Sequence, residues 1–184
     1  MTTAIYYSYI DCPLGQLFVQ GDGQFVTGLY MPHHKGWSGP DASWQLADAP
    51  FAIVREQLTK YFAGERQQFD VPLKLAGTPF QQCVWQELVR IPFGATTTYS
   101  QLAQRVGKPT ASRAVGNANG RNPISIIVPC HRVIGTNGKL TGYAGGVDKK
   151  QWLLAWERGA MANERTTVGA RRANVEPAFA WDSM

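Results

Sequence analysis

The stretch Ile126-Ile127-Val128-Pro129-Cys130-His131-Arg132-Val133 organises the reading of this chain. Its three β-branched apolar residues read as the end of a buried strand, which Pro129 stops because it has no N–H to give a sheet ladder. A thiol then falls where strand gives way to turn. Beside it stands His131, the side chain best suited to move a proton near neutral pH. A free cysteine with its ordinary pKa of about 8.5 is mostly protonated at pH 7, so a nucleophilic Cys130 needs an adjacent base. Neighbours in an extended strand face opposite ways, so thiol and imidazole meet directly only across a turn. A bridging water is the arrangement expected here. Against it stands the plainer reading of Cys130 as a small buried hydrophobe.

The rest of the chain weighs on that choice. At 184 residues, 44% hydrophobic and with six Trp, it can form one large domain or two small ones around a packed core. No apolar run approaches the roughly 18–20 residues of a membrane span, and the N-terminus lacks a basic start followed by a long apolar stretch. The expected address is the cytoplasm. Cys12, Cys83 and Cys130 are an odd number without paired spacing, which suits free thiols in a reducing compartment. With His33, His34 and His131 they form no C-x-x-C or H-x-x-x-H pattern, so no metal site is expected.

Charge is unevenly placed. Residues 1–76 carry five Lys and Arg against seven Asp and Glu; residues 77–160 carry ten against three, a net of +7; residues 161–184 carry three against three. The basic block contains Cys130. A local excess of this kind fits a binder of phosphate backbones, and equally a merely soluble basic surface.

In chain order, residues 3–10 and 16–20 are short β-rich runs around the turn Asp11-Cys12-Pro13-Leu14-Gly15, and 25–31 makes a third strand of a small antiparallel meander. A loop runs from Pro32 to about Pro50. Apolar spacing predicts a helix over 51–62, and 69–75 returns to an extended run. Thr78 with Pro79 begins a second helix. A third begins at Thr98-Tyr99-Ser100, and a fourth spans Thr110 to Asn119. The Gly107-Lys108-Pro109 turn between these two gives the grammar of a helix-turn-helix. Ala111, Ser112, Ala114, Gly116 and Ala118 leave the fourth helix slim, with Arg113 its one long cation. Slimness suits close helix packing, or entry into a DNA groove. Asn122 precedes Pro123 and is held extended, with an amide able to brace the turn. The glycine-rich loop at Tyr143 and Ala144 reads as a pocket wall. The last helix spans Lys149 to Arg158 and carries Glu157, a candidate to hold the imidazole of His131.

The run NPISIIVPCHRVIG, with YSQLA and SRAVG upstream and TGYAGG and WLLAWERG downstream, closely resembles the O6-alkylguanine-DNA alkyltransferase family. The resemblance covers about residues 10–159. It implies an α/β (α+β) chain: an N-terminal ribonuclease-H-like α/β domain over 1–76, then a C-terminal winged helix-turn-helix domain over 77–160; residues 161–184 lie outside the resemblance and, showing no clear periodicity, read as an extension expected to be partly disordered. The resemblance further implies Cys130 as alkyl acceptor, His131 as base through water, Glu157 as its orienter and Asn122 as brace. Tyr99 would help rotate the target nucleotide and Arg113 would fill the vacated stack, with Ser100, Ala111 and Ser112 on the same DNA-facing surface. The Val133 carbonyl, Tyr143 and Ala144 would line the guanine pocket. Ala144 stands where some relatives have serine, which removes a side-chain hydroxyl from the lesion oxygen. No cofactor is implied. The implied partner is double-stranded DNA bearing O6-alkylguanine, with O4-alkylthymine a further candidate, approached through the minor groove by a monomer. Rival readings are a lesion binder without chemistry, a transcription regulator and a Cys-His-Glu hydrolase.

Overall fold

The computed structural model describes residues 4–35, 37, 39–140, 142–166 and 179–180. The N-terminal half grows from the expected meander: β1 (Tyr6–Cys12), β2 (Gly15–Gly21) and β3 (Val26–Tyr30) pair antiparallel. Gly15 closes the first turn at φ 101°, a conformation that side chains with a Cβ avoid. The loop expected from Pro32 to about Pro50 contains packed aromatics and a short strand among its described residues. Trp37 and Trp44 pack on Phe18 with ring centroids 4.5 and 6.4 Å away. Behind them Gln45–Leu46 forms β4, parallel to β1. A 3₁₀ turn, Ala49–Phe51, leads into α1 (Ala52–Phe62), whose Val54, Leu58 and Tyr61 share one core with Ile10, Leu17, Val19 and Leu29 of the sheet. The extended run expected over 69–75 narrows to β5 (Leu73–Lys74), parallel to β3.

α2 (Pro79–Val89) starts where Thr78 caps it: the Gln81 N–H donates to Thr78 Oγ1 at 3.3 Å, and the Thr78 N–H to Gln81 Oε1 at 2.9 Å. β6 (Thr97–Thr98) hands the chain to α3 (Tyr99–Arg105), begun by the same reciprocal cap between Thr98 and Gln101. Gly107 turns at φ 70°, and α4 (Ser112–Gly120) follows. This is the expected helix-turn-helix, with α4 displaced slightly from 110–119. Val115 and Ala118 bury one side of α4, and the Trp85 indole N–H donates to the Ala118 carbonyl at 2.9 Å, tying α2 to it. Arg113, Ala114 and Asn117 face outward.

The strand expected to lead into Cys130 does not form. Leu29 donates to the Pro123 carbonyl and accepts from the Ser125 N–H, both at 2.8 Å, and this single bridge at Ile124 is all the segment shares with β3. The chain then folds back on itself. Ile126 takes φ 69°, a left-handed value that costs a β-branched residue strain, and the Val128 N–H reaches the Ile124 carbonyl at 3.1 Å. Ile124, Ile126 and Val128 are nonetheless buried, so the apolar pattern reported burial and not a ladder. A 3₁₀ turn, Cys130–Arg132, follows, then β7 (Val133–Ile134), parallel to β6.

α5 runs over Val147–Thr166, beyond the Lys149–Arg158 read from periodicity, because Gly159 does not stop it. Part of the segment expected as an extension is therefore helical. Phe179–Ala180 forms β8, parallel to β5 at the end of a sheet ordered β4-β1-β2-β3-β5-β8. The rest of the expected extension lies outside the described residues. Among the described residues no helix is long and apolar enough to cross a membrane.

Candidate active site

Cys130 opens its 3₁₀ turn with a side chain only 5% exposed. Asn122 braces the turn from below. Its amide donates to the carbonyls of Val128 at 2.8 Å and Ile124 at 3.2 Å, while its oxygen accepts the Ile124 N–H at 3.0 Å. Asn119, on α4, adds a bond from Nδ2 to the Cys130 carbonyl at 3.4 Å. Burial pushes the Cys130 thiol pKa up, opposed by a hydrogen bond from Asn122 and by the charge of Lys150.

His131 is fully buried and joined to Glu157, its Nε2 lying 2.9 Å from Oε1. Burial holds the imidazole below its ordinary pKa of 6.5, against the pull of the carboxylate, so the ring is neutral. Glu157 is ionised. Burial would raise its pKa, but the bonds from His131 and Arg132 hold it well below the usual carboxylate range. An ionised carboxylate only accepts, so Nε2 carries the hydrogen and Nδ1 the lone pair. Among the described residues Nδ1 meets no protein hydrogen-bond partner, which leaves it available to take a proton from a thiol.

Several partners of this relay had no counterpart in the sequence reading. Arg132 Nε reaches both Glu157 oxygens at 3.2 and 3.0 Å, Nη2 reaches Oε1 at 2.8 Å, and Nη1 donates to the Ile91 carbonyl at 2.6 Å. The Gly94 N–H donates to Oε2 at 3.0 Å, and the Tyr61 hydroxyl to Oε1 at 2.9 Å. Lys150 is buried, donates to the Val133 carbonyl at 2.6 Å and lies 5.8 Å from the Tyr99 ring centre. Burial brings its pKa down to about 8, opposed by Cys130. A helical clue to Lys150 existed: it stands seven residues before Glu157, two turns along the same face of α5. Nothing in the spacing pointed to Tyr61.

A groove of about 670 Å³ is lined by Tyr99, Ser100, Ser112 and Arg113 together with Tyr143 and Ala144 of the pocket loop, while Cys130, His131 and Glu157 are not among its lining residues. Ala111 sits at the start of α4, outside that lining. The Lys35 N–H donates to the Ala144 carbonyl at 2.9 Å, so the N-terminal half buttresses the pocket loop. Burial raises the Tyr143 phenol well above its ordinary pKa, so it keeps its proton in the pocket loop. The Val133 carbonyl, expected in the pocket wall, is already engaged by Lys150. Among the described residues no cluster of three His, Cys, Asp or Glu could hold a metal.

A sheet-based half joined to a helix-turn-helix half, with a buried thiol next in sequence to a buried His131–Glu157 pair and a groove lined by Lys35, Arg113 and Arg121, defines a DNA-binding protein built around one thiol. Family models described as the ribonuclease-like domain and the DNA binding domain of 6-O-methylguanine DNA methyltransferase match residues 5–75 and 79–159. The methylated-DNA–protein-cysteine methyltransferase of Mycobacterium tuberculosis is 49% identical over 154 residues, spanning 84% of this chain and 93% of its own. That of Methanosarcina acetivorans is 49% identical over 154 residues, spanning 83% and 98%. The crystal structure of Mycobacterium tuberculosis OGT in complex with DNA superposes with a TM-score of 0.79 at 48% identity, covering 84% of this chain and 94% of that one. The chain belongs to the 6-O-methylguanine DNA methyltransferase family. The two-part fold expected from sequence, ribonuclease-like and then DNA-binding, holds.

Proposed function

We propose that this chain, a methylated-DNA–protein-cysteine methyltransferase that repairs DNA by transferring an alkyl group to cysteine, uses Cys130 as the acceptor for O6-alkylguanine. The observation that supports it best is the relay: Cys130 is followed by a neutral His131 whose Nε2 is occupied by Glu157, leaving Nδ1 as the base. Nδ1 takes the thiol proton through a water. The sulfur then forms a bond to the alkyl carbon as that carbon's bond to O6 breaks, the electron pair leaving with guanine, which takes up a proton from the Tyr99 phenol. A thioether has no easy return, so each molecule acts once.

The lesion is buried in a duplex, so the nucleotide must be flipped, at a cost of a few kcal/mol that damage reduces. The groove supports this reading. α4 is slim enough to enter a minor groove about 6 Å wide once opened. Arg113, exposed on α4, fills the vacated stack, and Tyr99 turns the nucleotide. Ser100, Ala111 and Ser112 face the backbone, and Tyr143 and Ala144 hold the base. We divide the labour at residues 76 and 77, with 77–160 carrying DNA binding and acceptor, and assign a monomer in the cytoplasm, where Cys12, Cys83 and Cys130 stay free.

The test is intact mass after incubation with duplexes carrying O6-methylguanine or O4-methylthymine. Addition of one methylene to wild type, mapped to Cys130 and absent from Cys130→Ser, is the expected result. Transfer that survives Cys130→Ser, or is lost when Cys12 and Cys83 are replaced with the fold intact, would sink the assignment.

A further inference from the structure

Tyr61 lies on α1, in the half of the chain that carries neither the thiol nor the helix-turn-helix. Its hydroxyl nevertheless crosses the seam to donate to Glu157 Oε1 at 2.9 Å, the same oxygen that lies 2.9 Å from His131 Nε2. The ring is fully buried against Phe62, Phe69 and Phe93, with centroids 5.1, 5.4 and 5.8 Å away, so the hydroxyl has one place to point. A phenol buried beside a carboxylate keeps its proton and acts as a donor.

We propose that Tyr61 is a positioning residue of the alkyl-transfer site, fixing the Glu157 oxygen on which His131 is oriented and drawing part of its negative charge away from the imidazole. The inference rests on the alkyl-transfer reading above. It makes the ribonuclease-like half a participant in tuning the base. Each donor bound to one oxygen takes a share of its charge, so removing the Tyr61 hydroxyl leaves more of it facing Nε2. That favours the imidazolium and raises the pH at which His131 loses its proton. The other groups around the relay are Glu157 and Lys150 from α5, Cys130 and Arg132 from the 3₁₀ turn, and Tyr143 from the pocket loop. Of these, Glu157 favours the imidazolium, while Arg132 and Lys150 oppose it. Tyr61→Phe changes none of their identities.

The experiment is the pH dependence of the single-turnover rate on free O6-benzylguanine between about pH 5 and 8, in the full chain, for wild type and Tyr61→Phe. The acid limb is expected to move to higher pH by about half a unit to one unit. A slower reaction with the limb in place would reduce Tyr61 to packing, and a downward shift would reverse its assigned effect; either overturns the proposal. Val54→Ala, which weakens the same core from a position two turns earlier on α1 and belongs neither to the ring cluster around Tyr61 nor to the relay, controls for stability and should leave the limb unmoved. A matching shift in Val54→Ala would also count against Tyr61. Wild type that forms no adduct at Cys130 rejects the alkyl-transfer reading, whereas wild type that transfers with no shift in Tyr61→Phe rejects only the role of Tyr61.

Discussion

Replacing Glu157 with Gln changes one oxygen for an amide nitrogen, which keeps a hydrogen bond to His131 but removes the charge that favours imidazolium, so single-turnover transfer is expected to slow and the thiol pKa to rise. The structure makes it costly for folding as well. Glu157 is fully buried and accepts from Tyr61, His131, Arg132 and Gly94, so whichever way the amide turns, its NH₂ faces groups that are themselves donors. Arg132, only 5% exposed, keeps the Ile91 carbonyl but no counter-charge. Removing one partner of a buried ion pair costs about 3–5 kcal/mol. A protein stable by about 5–15 kcal/mol loses a large part of its margin. At roughly 2–4 °C per kcal/mol for a chain of this length, the melting temperature falls by about 10 °C. Urea unfolding followed by circular dichroism measures the loss directly. Adding Arg132→Met removes the orphaned cation, so the double variant should recover much of the stability without recovering the rate. A loss below about 1 kcal/mol in Glu157→Gln, or strict additivity of the two substitutions, would refute the reasoning.

Arg113→Ala should slow transfer from a lesion in duplex DNA far more than reaction with free O6-benzylguanine, which needs no flipping; equal slowing on both would place Arg113 in the fold or the pocket instead. If Arg113 is a plain phosphate contact, its loss weakens binding to any DNA and lowers the salt slope by about one, which binding measured across salt would reveal. Stability should decline in two stages as pH falls. His131 and His34 are held below 6.5 by burial, so the unfolded chain takes up protons first and stability drops below about pH 6.5. Glu157, held far below its ordinary 4.5, contributes stability that is complete above about pH 4.5 and is lost as pH falls further toward its folded value. Urea midpoints across pH check both stages, and a His131→Gln variant with an undiminished first stage would contradict a neutral buried His131.

The sequence by itself determined the local starts and stops. Thr78 and Thr98 cap α2 and α3 through reciprocal bonds with Gln81 and Gln101, contacts made within four residues and so written in the order of the chain. Gly107 and the small residues of α4 were legible as turn and slim helix for the same reason, and the PCHR run with its flanks marked the thiol, the imidazole and Glu157. Tertiary structure decided the rest. Ile124, Ile126, Ile127 and Val128 are β-branched and apolar, which records that they are buried, but only the neighbouring β3 and the clamp of Asn122 determine that the segment turns instead of pairing. Arg132 and Lys150 looked like part of a basic surface. Both are inside, because a carboxylate and backbone carbonyls from distant segments meet their donors there. Tyr61 stands 96 positions from Glu157, and a hydrogen bond across that separation leaves no periodicity to read; it exists only once both halves have folded and closed on each other.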